Sequence, residues 1–287
     1  MPLTSKNKIL ITGASGIIGK VLLKYLEKYE IYAISRTNKL NSGSNINWVN
    51  LDLSDFSKLK KFFYENSFDT VIHLAWENLP DYTKSNSIKN YFLTMNLFEQ
   101  CLKNKVKSFI STGSCWEYGD ELGQVDENSS FSNLNEFAQI KRKLAFEISS
   151  AKNELKINWL RLFYVFGPGQ RKGSLIPTIL NNINIDPFYI FKNPYEVRDY
   201  IYVHDVARVI KSIVEQRLEC GIMNVSSGNL KTPLDFYNEI RILNKLEFFD
   251  YSDTNKKITN YADLTKFYLK LGEFQFTSFS KSIKESI

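Results

Sequence analysis

The chain has 287 residues, of which 43% are hydrophobic, 14% aromatic and 24% charged. This composition predicts a folded globular protein and excludes disordered and fibrous classes. No stretch is apolar over the roughly 20 residues that a membrane span needs, and residues 1–8 lack the apolar core of a secretion signal. We therefore expect a soluble, cytoplasmic protein that does not bind membranes.

The charge distribution and the few possible metal ligands argue against a nucleic-acid-binding protein and against a metalloprotein. The net charge of +6 is spread along the chain, and the basic clusters at 103–107 and 141–143 alternate with apolar residues, as solvated faces do. We expect no nucleic-acid partner, whereas a mildly positive field suits an anionic small molecule. Three cysteines without a repeated spacing and only two histidines predict no metal site and reduced thiols.

The first half of the chain alternates short apolar runs with longer amphipathic stretches. Strands separated by helices require right-handed crossovers, which predicts a doubly wound, mainly parallel α/β sheet. The expected strands are 8–11, 31–35, 46–51, 70–74, 108–112 and 157–163. The expected helices are 17–29, 58–65, 88–104 and 137–152.

Beyond Gly167, prolines interrupt the pattern and the elements become shorter. We expect helices at 174–182, 206–216 and 234–243, and strands at 188–191, 200–203 and 223–225. These elements predict a large sheet domain at 1–165 and a smaller C-terminal lobe at 166–287, part of which returns to the sheet near 188–216.

A glycine-rich segment joins the first expected strand to the first expected helix. Gly13, Gly16 and Gly19 allow a tight turn, close approach of the backbone to a pyrophosphate, and close packing of the helix on the strand. The helix N-terminus adds free N–H groups and the positive end of its dipole. This loop therefore predicts that residues 1–165 form a Rossmann domain that binds a dinucleotide.

The G-x-x-G-x-x-G spacing resembles that of the extended short-chain dehydrogenases/reductases, the NAD-dependent epimerase/dehydratase family. Segment 50–53 resembles the family's adenine-side segment, and 73–75 resembles its H-L-A-A motif, with Trp76 in place of the last alanine. The resemblance implies a nicotinamide cofactor. The residues it implies for cofactor binding are Gly13, Ser15, Gly16, Ile17, Gly19, Asp52, Leu53, Leu74, Ala75 and Lys141.

The end of the second expected strand indicates which nicotinamide form is bound. An acid there would bond the ribose hydroxyls of NAD, whereas a basic residue favours the 2′-phosphate of NADP. Ser35 and Arg36 stand there, a hydroxyl and a planar fork that suits a phosphate. We therefore predict NADP, with NAD as the alternative.

Segment 111–119 resembles the family's S-S-S-x-x-V-Y-G, in which the serine four residues before the tyrosine contacts the reacting oxygen. Ser114 has that place. The family continues with Y-x-x-x-K, in which the tyrosine is the general acid/base and the lysine binds the nicotinamide ribose and lowers the tyrosine's pKa. Lys141 matches the lysine, but Phe137 stands at the tyrosine position and cannot carry a proton. The resemblance thus implies Ser114, Phe137 and Lys141 as catalytic positions, with one hydroxyl missing.

Three hypotheses account for Phe137. The first, which we favour because the other motifs are intact, is a Tyr→Phe substitution introduced to trap a complex. In the second, another acid replaces the tyrosine, namely Tyr118, Tyr164, Cys115 or water. In the third, the chain binds a ligand without turning it over.

The second half resembles the family's sugar-nucleotide lobe. Segment 161–170 resembles R-P-x-N-V-Y-G-P-G-Q, with Tyr164 in place of the substrate-contacting asparagine, and segment 197–207 resembles R-D-F-I-Y-V-D-D-V-A. The resemblance implies that Arg198 clamps the diphosphate of a nucleotide sugar. The other residues it implies for substrate binding are Ser114, Cys115, Trp116 and Tyr164.

The reaction is narrowed by the residues that follow Ser114. The family's dehydratases place an Asp-Glu pair where this chain has Cys115 and Trp116, so we expect no dehydratase. The chain also resembles bacterial reductases of the abequose- or fucose-forming type. This resemblance implies NADPH-dependent reduction of the C4 ketone of a nucleotide-diphosphate 4-keto-6-deoxysugar, for surface polysaccharide synthesis, in a homodimer. A 4-epimerase with bound NAD and a non-catalytic ligand-binding homologue are the alternatives.

Overall fold

The computed structural model describes residues 7–36, 45–151, 154–249 and 257–287. Their strands are, in chain order, β1 (Lys8–Thr12), β2 (Glu30–Ser35), β3 (Ile46–Asn50), β4 (Thr70–His73), β5 (Ser108–Ser114), β6 (Gly123–Val125), β7 (Lys156–Leu162), β8 (Tyr164–Phe166), β9 (Glu196–Tyr202), β10 (Gly221–Val225), β11 (Asn229–Lys231), β12 (Lys257–Ile258) and β13 (Asn260–Ala262). Their helices are α1 (Ile17–Tyr25), α2 (Phe56–Glu65), α3 (Lys84–Lys103), α4 (Glu136–Ser149), α5 (Leu175–Asn181), α6 (Pro187–Ile190), α7 (Val203–Gln216), α8 (Pro233–Leu243), α9 (Thr265–Leu271) and α10 (Phe279–Lys284). None of these helices is both long and apolar enough to span a bilayer.

Seven strands form one sheet in the order β3-β2-β1-β4-β5-β7-β10, and every neighbouring pair is parallel. Alternate residues of β1 face two different cores. Ile9 and Ile11 pack with α1 and α7, whereas Leu10 packs with α2, α3 and α4. A parallel strand covered on both faces needs apolar residues at every position. The doubly wound parallel fold predicted from the sequence is confirmed.

The C-terminal lobe is built around β9. Strands β8 and β12 pair with β9 in parallel and β11 pairs with it antiparallel, while β13 pairs with β6. The chain returns to the large sheet through α7, which packs on α1, and through β10, which pairs with β7. The domain boundary at residue 165 stays a prediction.

The strand expected at 188–191 is wrong, because the chain forms the short helix α6 there. The Asp186 carboxylate accepts a hydrogen bond from the backbone N–H of Phe188 (2.9 Å), and Pro187 occupies the first helical position. An aspartate N-cap followed by proline starts a helix, and these two residues outweigh the apolar run. The expected helix end at Lys152 lies outside the described residues; α4 ends at Ser149.

His73 lies at the end of β4, enclosed in the centre of the sheet. Its ring nitrogens lie 2.7 Å from the hydroxyl of Thr12 and 3.0 Å from the hydroxyl of Thr94. Burial, with a smaller effect of the Lys141 charge, lowers the pKa of His73 to about 3. The neutral imidazole therefore joins β1, β4 and α3.

We expect the free energy of unfolding to fall as the pH decreases below about 6.5. The unfolded imidazole takes up a proton near pH 6.5, whereas the folded one takes it up only near pH 3. Between these values protons bind the unfolded chain preferentially, which costs up to about 1.4 kcal/mol per pH unit. Urea unfolding at pH 7, 5.5 and 4 measures the loss, with His73→Asn as the non-titrating control. Equal losses in both proteins would show that His73 does not contribute.

Candidate active site

A cavity of about 580 Å³ opens at the carboxyl ends of β1, β4, β5 and β7. Parallel α/β sheets bind their ligands at this edge. Most residues predicted from the sequence line this one cavity, namely Gly13, Ser15, Gly16, Ile17, Gly19, Ser35, Arg36, Leu53, Leu74, Ala75, Ser114, Cys115, Trp116, Phe137, Lys141 and Tyr164. Asp52 and Arg198 are predicted site residues that do not line it.

The glycine loop brings α1 close to the sheet and leaves its N-terminus open. Gly13 has φ +70°, and a Cβ there would lie 2.6 Å from the backbone N of Ala75. A Cβ at Gly19 would lie 2.4 Å from the Gly13 carbonyl oxygen. Gly16 is the N-cap of α1, and no side chain of the described residues caps that helix. The first N–H groups of α1 therefore face the cavity and fit a pyrophosphate.

Ser35, Arg36, Leu51 and Leu53 line the part of the cavity where the family resemblance implies the cofactor's adenosine, here called the adenosine end. Asp52, between the two leucines, is turned outward. Its carboxylate accepts hydrogen bonds from the hydroxyl (2.6 Å) and backbone N–H (2.8 Å) of Ser54, which lower the pKa of Asp52. The contact with the adenine that the family resemblance implies for Asp52 stays a prediction.

Ser114 is held by a buried carboxylate that was not predicted from the sequence. Glu117 Oε1 accepts hydrogen bonds from the Ser114 backbone N–H (2.9 Å) and the Trp159 indole (3.1 Å), and Oε2 accepts one from Arg161 Nε (2.8 Å). Ser114 Oγ in turn caps the 3₁₀ turn Cys115–Tyr118. A sequence signal for Glu117 existed, because S-x-x-E is the spacing of a capping box.

Phe137 lies in a cluster of aromatic rings. Its ring centroid is 5.1 Å from that of Trp76, 5.3 Å from that of Tyr82 and 5.7 Å from that of Trp116, each in edge-on geometry. Phe137 itself is buried. The position of the family's catalytic hydroxyl is thus surrounded by rings, and Tyr82, which lines the cavity, was not predicted from the sequence.

Lys141 lies one turn after Phe137 on α4 and is enclosed. Its ammonium donates a hydrogen bond to the Thr112 carbonyl oxygen (2.7 Å) and lies 4.1 Å from the centroid of the Trp76 ring. Burial lowers the pKa of Lys141 to about 7, against the opposing charge of Glu117. Near neutral pH both the ammonium and the amine forms of Lys141 are therefore accessible.

The side chains that could donate a proton in place of a tyrosine at position 137 differ in whether they reach the cavity. Tyr118 is wholly buried outside the cavity and donates to Asn224 Oδ1 (2.6 Å), so it cannot protonate a ligand there. Cys115 lines the cavity, but burial raises the pKa of its thiol to about 12. Tyr164 and Tyr82 also line the cavity; burial raises the pKa of Tyr164, and Arg171 donates to the Tyr82 hydroxyl at 3.4 Å.

Arg198 lies behind the cavity wall. Its guanidinium is 4.6 Å from the centroid of the Tyr164 ring and forms an ion pair with Glu196. Its Nε is buried and has no hydrogen-bond partner among the described residues. Arg198 is therefore next to a cavity-lining ring, and its role as a diphosphate clamp stays a prediction.

The doubly wound parallel sheet, the glycine loop and the cavity at the carboxyl edge define a Rossmann-type dinucleotide-binding protein. The chain belongs to the NAD-dependent epimerase/dehydratase family, whose model matches residues 9–226. The family resemblance stated from the motifs is thereby confirmed.

Similar proteins include both reductases and epimerases. The dTDP-4-dehydro-6-deoxyglucose reductase of Escherichia coli is 26% identical over 278 residues, covering 86% of this chain and 85% of that protein. The CDP-abequose synthase of Salmonella typhimurium is 26% identical over 229 residues, covering 75% and 72%. The solved UDP-glucuronic acid 4-epimerase of Bacillus cereus, in complex with NAD, has a TM-score of 0.81 at 22% identity and covers 97% of both chains. These relatives are nucleotide-sugar enzymes by their names, and this chain shares their family and fold.

We expect Glu117→Gln to destabilise the protein by about 3–5 kcal/mol, because it leaves the Arg161 guanidinium buried without its partner. Urea unfolding measures the change. Glu65→Gln removes an exposed carboxylate on α2 and should stay within about 0.5 kcal/mol. The double variant Glu117→Gln/Arg161→Met should recover part of the loss. A change below about 1 kcal/mol in Glu117→Gln would mean that the ion pair is dispensable.

Proposed function

We propose that the protein reduces the C4 ketone of a nucleotide-diphosphate 4-keto-6-deoxysugar with NADPH, in the synthesis of a bacterial surface polysaccharide. The observation that carries this proposal is the basic border of the cavity at its adenosine end. Arg36 lines the cavity at the end of β2, where an acid would select NAD. A cofactor that must be exchanged after each turnover suits a reductase better than an epimerase, which returns the hydride to the same sugar.

Ser114, Phe137 and Lys141 line the part of the cavity here called the inner end, where the ketone would be reduced. The reduced nicotinamide supplies the hydride. Ser114 donates a hydrogen bond to the ketone oxygen, where negative charge develops, and Glu117 keeps the Ser114 backbone in place (2.9 Å). Lys141 binds the nicotinamide ribose from the floor of the cavity. With phenylalanine at position 137, the proton comes from a group other than the family's tyrosine, or turnover is slow.

The substrate class rests on relatives and on the cavity wall. The Escherichia coli relative is named as a reductase of dTDP-4-dehydro-6-deoxyglucose, and the Salmonella relative as CDP-abequose synthase. Trp76, Tyr82, Trp116 and Phe137 present apolar ring surfaces, which suit a 6-deoxysugar better than a sugar with a charged C6. Arg198 and Tyr164 are the proposed ligands of the nucleotide diphosphate.

A 4-epimerase with bound NAD is the second candidate. One observation favours it: the buried carboxylate of Glu77 lines the cavity close to Arg36 and could accept hydrogen bonds from the ribose hydroxyls of NAD. NAD retained through purification would support this candidate. The homodimer remains part of the proposal.

We expect NADP to raise the melting temperature of the protein more than NAD does, because Arg36 forms a charge-assisted contact with the 2′-phosphate. Arg36→Ala should remove most of this difference, while Lys61→Ala, an exposed change on α2, should leave it unchanged. Thermal unfolding with each cofactor at equal concentration measures it. Equal shifts for both cofactors in the unaltered protein would rule out the assignment of NADP.

We expect Phe137→Tyr to raise the rate of ketone reduction by about 10²–10⁴-fold, since a positioned acid contributes this much. The added hydroxyl would lie one helical turn from Lys141, whose ammonium lowers the pKa of a phenol beside it. Binding should hardly change, because the ring already fills the space. Oxidation of NADPH with a 4-keto-6-deoxy nucleotide sugar at saturation measures the rate.

Phe137→Leu is the control, because it replaces the ring with an aliphatic side chain and adds no hydroxyl. An unchanged rate in Phe137→Tyr, with the unaltered protein fully active, would show that another residue supplies the proton. Absence of turnover in every form, together with binding of the nucleotide sugar, would favour the non-catalytic homologue.

A further inference from the structure

Two cations from different elements meet on one buried carboxylate at the adenosine end of the cavity. Arg36 Nη1, at the end of β2, lies 3.5 Å from Glu77 Oε1, and Lys89 Nζ, on α3, lies 2.8 Å from Glu77 Oε2. Glu77 is 8% exposed and lines the cavity. The side chains of Arg36 and Lys89 are 57% and 50% exposed. Arg36 lines the cavity, and Lys89 lies beside it through its contact with Glu77.

The pair formed by Glu77 and Lys89 is fixed through the backbone as well as through charge. The N–H of Glu77 donates to Asn90 Oδ1 (2.7 Å), and the Asn86 amide donates to the Glu77 carbonyl oxygen (3.0 Å). Asn86 and Asn90 are buried on α3, on either side of Lys89. The loop that carries Glu77 is therefore docked on the same stretch of helix that carries Lys89, unlike a loose surface ion pair.

Arg36 and Lys89 can still donate hydrogen bonds to an anion, because each contacts Glu77 through a single nitrogen. Asp52 is a second carboxylate near both cations, and their charges, after the hydrogen bonds from Ser54, lower its pKa. Two half-exposed cations held on one cavity-lining carboxylate suit a dianionic phosphate, which accepts hydrogen bonds from both.

We propose that Lys89 is the second cationic ligand of the cofactor's 2′-phosphate, beside Arg36, and so a determinant of cofactor specificity. This inference rests on the NADP preference in the proposed function. Glu77 holds the two side chains near one another in the absence of the phosphate, which reduces the conformational freedom they lose when it binds. The 5′-side of the adenosine is bound by the glycine loop, so Lys89 acts on the 2′-phosphate alone.

Isothermal titration calorimetry with two cofactor fragments isolates this contact. Adenosine 2′,5′-bisphosphate carries the 2′-phosphate and 5′-AMP lacks it. We expect the unaltered protein to bind the bisphosphate more tightly. Lys89→Ala should weaken bisphosphate binding about tenfold, the size of one exposed charge-assisted hydrogen bond, and should change 5′-AMP binding less than about twofold. Lys89→Arg should keep most of the affinity.

Lys84→Ala is the matched control, because Lys84 is exposed on the same helix and should leave both affinities unchanged. Lys89→Gln, which keeps a hydrogen-bond donor to Glu77, serves as a second variant where Lys89→Ala folds poorly. Raising the salt concentration should weaken bisphosphate binding more in the unaltered protein than in Lys89→Gln.

The outcomes separate this inference from the proposal on which it rests. Preference for the bisphosphate that persists unchanged in Lys89→Ala and Lys89→Gln would overturn the role of Lys89 and leave the NADP preference standing. Equal loss of affinity for both fragments would make Lys89 a structural residue. Absence of any preference in the unaltered protein would overturn both the NADP preference and the inference.

Discussion

The carboxylate of Glu117 determines the geometry of the inner end of the cavity. It is wholly buried, and it joins the Ser114 backbone at the end of β5 to Trp159 and Arg161 on β7. A buried ion pair is retained only where hydrogen bonds satisfy the remaining polar atoms, and each oxygen of Glu117 has such a partner. A Cβ at Gly113 would lie 2.3 Å from Glu117 Oε1, so any side chain there would displace this carboxylate. The position of the Ser114 hydroxyl thus follows from a buried charge that does not line the cavity.

Two of the departures from the family pattern in this cavity contact each other. Trp76 replaces the family's alanine, Phe137 replaces its tyrosine, and their ring centroids lie 5.1 Å apart. The Trp76 ring also lies 4.1 Å from the Lys141 ammonium. In the family pattern this ammonium lowers the pKa of the tyrosine. A tyrosine at position 137 would place the same ring against Trp76, so the contact is compatible with each of the hypotheses for Phe137. It makes the source of the proton the central chemical question.

The sequence predicted what depends on local pattern. Apolar runs gave the parallel strands, and Gly13, Gly16 and Gly19 gave the loop, because both signals lie in consecutive residues. The short helix at Pro187–Ile190 was missed because its start depends on Asp186 and Pro187, outside the apolar run. The proximity of Glu77 and Lys89 to Arg36 could not be predicted from patterns in consecutive residues. Their relation to Arg36 exists only after β2, β4 and α3 have been placed side by side, and no motif spacing encodes it.

The cations near the two ends of the cavity differ in their exposure to water. On Glu77, Arg36 and Lys89 are half exposed, so water and salt weaken their attraction for an anion. At the inner end, Lys141 is enclosed, and the pKa of about 7 means that its ammonium and amine forms are nearly equal in free energy at neutral pH. Any anion that enters the cavity stabilises the ammonium over the amine, because attraction between opposite charges is strong where water is excluded. Binding of a phosphate-bearing ligand therefore favours the protonated form of Lys141, which lies beside Phe137 and Trp76.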